Sequence, residues 1–79
     1  TPDFVLADPP REGLGKTATR ELIRIAPPRL TVVACDPATL ARDLQTLLGT
    51  GGYRLLQLTM VDLFPQTYHF ETIAELERA

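Results

Sequence analysis

A short apolar run that leads directly into a helix start constrains this fold most. Residues 30–34 read Leu-Thr-Val-Val-Ala, which is typical of a buried strand in a parallel sheet. Asp36 can cap the helix that follows, and Pro37 suits its first position, where an N–H would have no helical partner. Cys35, the only cysteine of the chain, lies between the two signals. The sequence therefore predicts Cys35 at the carboxyl end of a strand and at the positive end of a helix dipole.

Similar signals along the rest of the chain predict an α/β fold. Strands are predicted at residues 4–8, 30–35 and 53–62, and helices at residues 17–26 and 37–48. Apolar residues at helical spacing predict the buried faces of the two helices: Ala18, Leu22 and Ile25, then Leu40, Leu44, Leu47 and Leu48. Alternating strands and helices with short connections predict right-handed βαβ units and a parallel sheet with helices packed on it.

The last stretch, residues 68–79, permits two interpretations. Its Glu, Ala and Leu content favours a helix. Its alternation also fits a strand, with Phe70, Thr72, Ala74 and Leu76 on one face. The residue pattern alone leaves both open.

The composition of the chain excludes several classes of protein. The net charge of −2 over 79 residues lacks the basic surplus of a dedicated nucleic-acid-binding module. A single cysteine excludes an internal disulfide framework and zinc-type cysteine spacing, and it fits a reducing compartment, so we expect a cytoplasmic protein without a metal site. No run is long enough to span a membrane. A sheet that begins within the first few residues is expected of a fragment, so we interpret residues 1–79 as a single partial domain.

Three acidic or nucleophilic residues fall at the ends of the predicted strands, namely Asp8, Cys35 and Asp62. The carboxyl ends of parallel strands meet at one sheet edge, so a shared cleft is expected there. Each residue also has a structural interpretation: Asp8 and Asp62 are common turn residues, and most lone cysteines are small buried hydrophobes. Glu71, judged by its position alone, is more typical of a solvated charge.

Three segments in order resemble one family. They read Asp-Pro-Pro-Arg-x-Gly-Leu at residues 8–14, Ala-Cys-Asp-Pro-Ala-Thr-Leu-Ala-Arg-Asp at residues 34–43, and Asp-Leu-Phe-Pro-Gln-Thr-x-His-x-Glu at residues 62–71. The chain thereby resembles the carboxyl-terminal half of the RNA uracil-5-methyltransferases, which form 5-methyluridine in tRNA and rRNA. The resemblance implies the matching half of a Rossmann-like class I methyltransferase fold: three parallel strands, two helices and a final antiparallel strand over residues 68–78.

The resemblance also implies a site and a cofactor. S-adenosylmethionine is the expected methyl donor, and RNA is the expected partner of the complete protein. Cys35 matches the family's nucleophile, Glu71 its proton-abstracting base, and Asp8 an aspartate of the cofactor pocket or active site. Arg11 is expected, from its position, to donate to a uracil carbonyl or a phosphate. Asp36 stands where the family more often has Asn; its charge opposes thiolate formation beside it, although it still caps the helix.

An alternative of a different class is a non-catalytic half-domain. Such a module would self-associate by pairing its exposed edge strand at residues 4–7 with a second copy. A thiol redox enzyme is disfavoured because the chain has no second cysteine to resolve a disulfide. We expect the 79 residues alone to be inactive, because the glycine-rich first βα turn that binds the cofactor in this family is not among them.

Overall fold

The computed structural model describes residues 3–49, 51–64 and 69–79. Four strands and two helices follow one another as β1 Phe4–Ala7, α1 Gly15–Ile25, β2 Arg29–Ala34, α2 Pro37–Gly49, β3 Tyr53–Phe64 and β4 His69–Arg78. The strands form one sheet in the order β1-β2-β4-β3. β1 and β2 are parallel, and β4 runs antiparallel to both β2 and β3. The predicted α/β class, with three strands in one direction and a final antiparallel strand, is confirmed.

The final strand lies inside the sheet. β4 pairs with β2 on one side and with β3 on the other, which resolves the ambiguity of the last stretch in favour of a strand. Thr72, Ala74 and Leu76 are buried, as the alternating pattern predicts. Pairing on both sides outweighs the helical propensity of this segment, because propensity is a weak preference that tertiary contacts override.

The hydrophobic core lies between the sheet and the two helices. Its buried members come from both helices and from three strands: Leu22, Leu30, Val32, Ala34, Leu40, Leu47, Tyr53, Ala74 and Leu76. Leu44 and Leu48 are partly buried against this cluster, which confirms the predicted face of α2. In α1 the prediction missed Thr19, which is buried and donates its hydroxyl hydrogen to the Gly15 carbonyl over 2.6 Å.

Several predicted boundaries need correction. α1 begins at Gly15 rather than at residue 17 and ends at Ile25. The next residue, Ala26, has a left-handed backbone (φ 51°) and donates its N–H to the Leu22 carbonyl over 2.8 Å, which closes the last turn before two prolines. β3 continues to Phe64, so its last two residues are strand rather than loop. Of the loop that the sequence predicts at residues 63–67, residues 65–67 lie outside the described part of the chain.

The sheet edge at β1 is open among the described residues. β1 stands at the end of the strand order, and Phe4 and Leu6 are 55% and 61% exposed. Unpaired strand edges with exposed apolar side chains invite pairing with another chain. No helix in the described part of the chain is long and apolar enough to cross a membrane.

Candidate functional site

β1 and β2 bring Asp8 and Cys35 to the same edge of the sheet. The two strands are parallel neighbours, with Ala7 beside Val32, and each ends one residue earlier than predicted. Asp8 and Cys35 are therefore the first residues after their strands. Both are exposed, so the interpretation of Cys35 as a buried hydrophobe is wrong. An exposed thiol and an exposed carboxylate stand where open α/β sheets place their ligands.

The start of α2 has the capped form that the sequence predicts. The Asp36 carboxylate accepts a hydrogen bond from the Ala38 N–H at 2.9 Å, and the Asp36 carbonyl accepts one from the Leu40 N–H at 3.1 Å. Pro37 is the first residue of the helix. The negative charge of Asp36 is thus hydrogen-bonded to the helix end, where the dipole stabilises it. Cys35 directly precedes this ordered turn.

The register of β2 and β4 brings Glu71 next to Cys35. The last pair of their ladder joins Ala34 to Thr72, and the next residue on each strand is Cys35 and Glu71. Opposite residues of an antiparallel ladder lie roughly 5 Å apart between Cα atoms. Glu71 is half-buried and also pairs with Val61 of β3. A thiol and a carboxylate that are distant in sequence therefore both lie at the same end of the β2–β4 ladder.

The structure does not place Asp62 at a strand end. β3 continues past it, and Asp62 pairs with Phe70 within the β3–β4 ladder. The prediction that Asp62 follows the third strand is wrong, because pairing with β4 extends that strand. The candidate residues that lie at this edge of the sheet are instead Asp8, Cys35 and Glu71. Of the third sequence motif, residues 65–67 lie outside the described part of the chain.

α2 also holds the loop that carries Asp8 and Arg11. The Thr39 hydroxyl lies 3.1 Å from the Arg11 carbonyl oxygen, and the Arg42 guanidinium donates to the Glu12 carbonyl over 2.6 Å. Both contacts bind the backbone of the loop and leave the Arg11 side chain exposed. Arg11 can therefore reach a ligand while its backbone stays fixed.

Asp43 provides a third contact to this loop. It is buried on α2, and its carboxylate accepts a hydrogen bond from the Leu14 N–H at 2.7 Å. The neighbouring Arg42 guanidinium lies 3.3 Å from the other carboxylate oxygen. We call Thr39, Arg42 and Asp43 the loop clasp. The motifs of the sequence do not indicate this cluster, although an acid on the apolar face between Leu40 and Leu47 is a signal of a buried, partnered carboxylate.

The charges of the site differ from those elsewhere in the molecule. Ion pairs form between Glu21 and Arg24, and between Glu77 and both Arg29 and Arg54. No ion pair in the described ranges engages Asp8, Arg11 or Glu71. Nor do the described residues contain a group of three or more His, Cys, Asp or Glu side chains that could hold a metal ion. The functional groups of the site are therefore one thiol, two carboxylates and one guanidinium.

Comparisons with known proteins converge on one group of enzymes. A family model described as tRNA (uracil-5-)-methyltransferase matches residues 2–79. An RNA methyltransferase of Thermosynechococcus vestitus is 49% identical over 74 residues, which are 94% of this chain and 16% of that protein. A 23S rRNA (uracil(1939)-C(5))-methyltransferase of Edwardsiella ictaluri is 49% identical over 77 residues, which are 98% of this chain and 17% of that protein. The chain thus spans about a sixth of the length of these curated relatives.

A solved structure is similar to this chain in both sequence and fold. The crystal structure of the Pyrococcus abyssi tRNA (uracil-54, C5)-methyltransferase, in complex with S-adenosyl-L-homocysteine, superposes with a TM-score of 0.82 and 39% identity. The match covers 94% of this chain and 18% of that chain. The similarity extends over nearly all of the 79 residues.

Proposed function

The chain belongs to the tRNA (uracil-5-)-methyltransferase family, and from this membership we propose that it forms the carboxyl-terminal part of the catalytic domain of an RNA uridine C5-methyltransferase. The observation that carries the proposal is the register of the β2–β4 ladder, whose last pair, Ala34 and Thr72, is adjacent in sequence to Cys35 and to Glu71. Two relatives that are uracil C5-methyltransferases of 23S rRNA and of tRNA support uridine in RNA as the substrate.

Cys35 acts as the nucleophile in this proposal. Carbon C5 of uracil is too weak a nucleophile to take a methyl group from a sulfonium. Addition of the Cys35 thiolate to C6 forms a carbon–sulfur bond and converts the ring to an enolate, which makes C5 nucleophilic. The exposure of Cys35 directly before a helix start supports this role, because an accessible thiol can reach a bound uracil ring.

Glu71 acts as the base that ends the reaction. Once C5 carries the methyl group, it still holds its original proton. The Glu71 carboxylate takes this proton, the C5–C6 double bond re-forms, and the bond between C6 and sulfur breaks. These steps release 5-methyluridine and return the Cys35 thiolate. The position of Glu71 beside Cys35 supports the assignment, because a general base must lie within reach of the proton that it removes.

In this scheme Asp8 binds the cofactor, and Arg11 binds and orients the RNA. S-adenosylmethionine supplies an electrophilic methyl group when it is bound. The exposed Asp8 carboxylate, which has no ion-pair partner in the described ranges, fits the positive charge of this cofactor. Arg11, with its backbone fixed on α2, donates to a uracil carbonyl or to an RNA phosphate. The S-adenosyl-L-homocysteine in the Pyrococcus abyssi structure supports the choice of cofactor.

The 79 residues do not perform the reaction alone in this account. The relatives are about six times longer, and Asp8 is the one cofactor-binding residue that we assign within the chain. In this proposal RNA binds through the complete protein.

A covalent trap tests the proposal. The full-length enzyme that contains this chain is incubated with S-adenosylmethionine and with tRNA and rRNA transcripts that carry 5-fluorouridine. Fluorine cannot leave C5 as a proton does, so the enzyme stalls as a covalent complex that survives a denaturing gel. We expect a retarded band with the wild type and none with Cys35→Ala. Absence of the band in the wild type, with RNA binding intact, contradicts uridine C5 chemistry.

A second candidate function rests on the open sheet edge. β1 exposes Phe4 and Leu6 and has no neighbour on its outer side among the described residues. The chain would then be a module that pairs with a second copy along β1. Light scattering on the purified 79-residue chain separates the two candidates: a concentration-dependent dimer favours pairing, and a strict monomer contradicts it.

A further inference from the structure

Asp43 is a buried acid that the proposed reaction does not use. Only 3% of its surface is exposed to solvent. Burying a carboxylate is unfavourable unless hydrogen bonds and opposite charges compensate for the lost solvation. The Leu14 N–H provides one such bond at 2.7 Å, and the Arg42 guanidinium lies 3.3 Å away. The buried Asp43 carboxylate therefore holds the backbone of one loop, residues 8–14.

Gly13 shows how closely this loop approaches α2. Its backbone lies in the left-handed region (φ +85°), and a Cβ placed there would stand 2.6 Å from an Asp43 carboxylate oxygen and 2.8 Å from an Arg42 nitrogen. Gly15 has nearly the same backbone (φ +79°), yet a Cβ there meets nothing within 4 Å. The close contact at Gly13 therefore belongs to the loop clasp, whereas the left-handed backbone is common to both glycines.

The loop clasp links two parts of the site. α2 begins two residues after Cys35, so the helix that carries the clasp also fixes the turn that carries the thiol. The loop on the other side of the clasp begins with Asp8 and includes Arg11. Three contacts from one helix, to the Arg11 carbonyl, the Glu12 carbonyl and the Leu14 N–H, hold these parts in one arrangement.

We propose that Asp43 is a positioning residue of the methyl-transfer site, which holds the Asp8–Arg11 loop on α2 in register with Cys35. The inference rests on the proposed function. Asp43 touches neither substrate nor cofactor in this account. It acts through the loop, because displacing a binding group by about 1 Å is enough to slow a reaction on the order of a hundredfold.

The test measures how fast the full-length enzyme forms the covalent complex with 5-fluorouridine RNA in a single turnover. The rate constant and the final amount of complex are recorded separately. A merely structural defect lowers the amount, because fewer molecules are folded, but it leaves the rate constant of the folded molecules unchanged. A positioning defect lowers the rate constant itself.

We expect Asp43→Ala and Gly13→Ala to lower this rate constant on the order of a hundredfold. Asp43→Asn keeps an oxygen for the Leu14 N–H but loses the charge that faces Arg42, so we expect a loss within about tenfold. Gly15→Ala is the matched control for Gly13→Ala. It carries the same backbone strain without the collision, and its rate constant should stay within about threefold of the wild type.

Hydrogen exchange on the same proteins reports on the loop without depending on catalysis. The amides of residues 8–14 should exchange faster in Asp43→Ala and Gly13→Ala, while β2 and β4 keep their protection. Faster loop exchange together with a lower rate constant supports the proposal. Faster loop exchange with a wild-type rate constant overturns it, as does a loss that appears only in the final amount of complex. A wild type that forms no complex overturns the proposed function and this role with it, and the exchange data then describe a structural contact only.

Discussion

The two ends of the sheet use polar side chains in opposite ways. At the end where β2 begins and β4 finishes, polar groups satisfy one another. The Tyr53 hydroxyl donates to the Pro27 carbonyl over 2.8 Å, the Arg78 guanidinium donates to the Ala26 carbonyl over 2.8 Å, and Arg54 pairs with Glu77. We call this the closed end. Its contacts join the first residues of β3 to the segment between α1 and β2.

The other end, which we call the reactive end, carries Asp8, Arg11, Cys35 and Glu71. No ion pair in the described ranges engages its charged members, and Cys35 is exposed. Hydrogen bonds at this end fix backbone instead, through Asp36 and the loop clasp. The backbone is held, and the reactive groups stay available to a ligand.

The contacts that stabilise the fold and the groups proposed to react therefore lie at opposite ends of one small sheet. Contacts that satisfy both partners lower the free energy of the fold but leave no group free to react. Functional sites keep reactive groups unpaired and depend on the rest of the molecule for their stability. Substitutions at the closed end should therefore change unfolding, and substitutions at the reactive end should change turnover.

Replacing Cys35 should have the largest effect. Cys35→Ala removes the nucleophile, so methyl transfer to RNA should fall by at least about a thousandfold. The exposed position means that thermal unfolding of the full-length protein should stay the same. Radiolabelled methyl transfer measures the first property and calorimetry the second. Turnover that survives in Cys35→Ala contradicts the role of the reactive end.

Glu71→Gln should separate the first half of the reaction from the second. Without the carboxylate the C5 proton stays in place, so turnover should fall roughly a hundredfold to ten-thousandfold. A covalent complex with ordinary uridine RNA should accumulate on a denaturing gel. Glu75→Gln is the control, because Glu75 is an exposed acid on the same strand. Equal accumulation in both variants would count against Glu71 as the base.

Tyr53→Phe should affect only stability. It removes the donor to a carbonyl of the buried residue Pro27, which lowers the free energy of unfolding by about 1–3 kcal/mol. Urea unfolding of the isolated chain measures this change, and methyl transfer by the full-length variant should match the wild type. A loss of turnover without a loss of stability would break the distinction between the two ends.

The Tyr53 hydroxyl also makes the closed end sensitive to high pH. Burial raises the pKa of Tyr53 above its ordinary value of 10.0, and the nearby Arg78 opposes this rise in part. The neutral phenol is therefore favoured in the folded state. Its stabilising contribution is fully present below pH 10 and is lost as the pH rises through the raised pKa. The difference in unfolding free energy between wild type and Tyr53→Phe should shrink above pH 10, and a constant difference would contradict this assignment.

Glu77→Gln should have the smallest effect. Its ion pair with Arg54 joins side chains of which the arginine is 70% exposed, and exposed pairs contribute about 1 kcal/mol or less. Urea unfolding at low and high salt should show a small loss that salt removes. A larger loss, insensitive to salt, would show that this pair is more than a surface contact.

The sequence alone predicts the segment around Cys35 because its signals are local. An apolar run, a capping Asp36 and Pro37 at the first helical position define a strand end and a helix start without reference to the rest of the chain. The structure has the same arrangement, with the strand end displaced by one residue. Pro9, Pro10 and Gly13, which lie between β1 and α1, likewise predict a loop.

The position of Cys35 and Glu71 at the same end of one ladder could not be predicted from the residue pattern. It depends on β4 lying between β2 and β3, and strand order is set by packing over the whole sheet. The same pairing extends β3 past Asp62, which explains the wrong prediction there. The loop clasp was missed for a related reason, because the partner of Asp43 is a backbone N–H distant in sequence.

Identifying the residue attached to RNA in the trapped complex tests the central claim most directly. The complex of the full-length enzyme with 5-fluorouridine RNA is digested with nuclease and trypsin, and the modified peptide is sequenced by mass spectrometry. We expect a methylated 5-fluorouridine on the tryptic peptide of residues 30–42. It should be attached through Cys35, the only cysteine of the chain. Attachment to any other residue would contradict the assignment of the nucleophile and with it the reactive end described above.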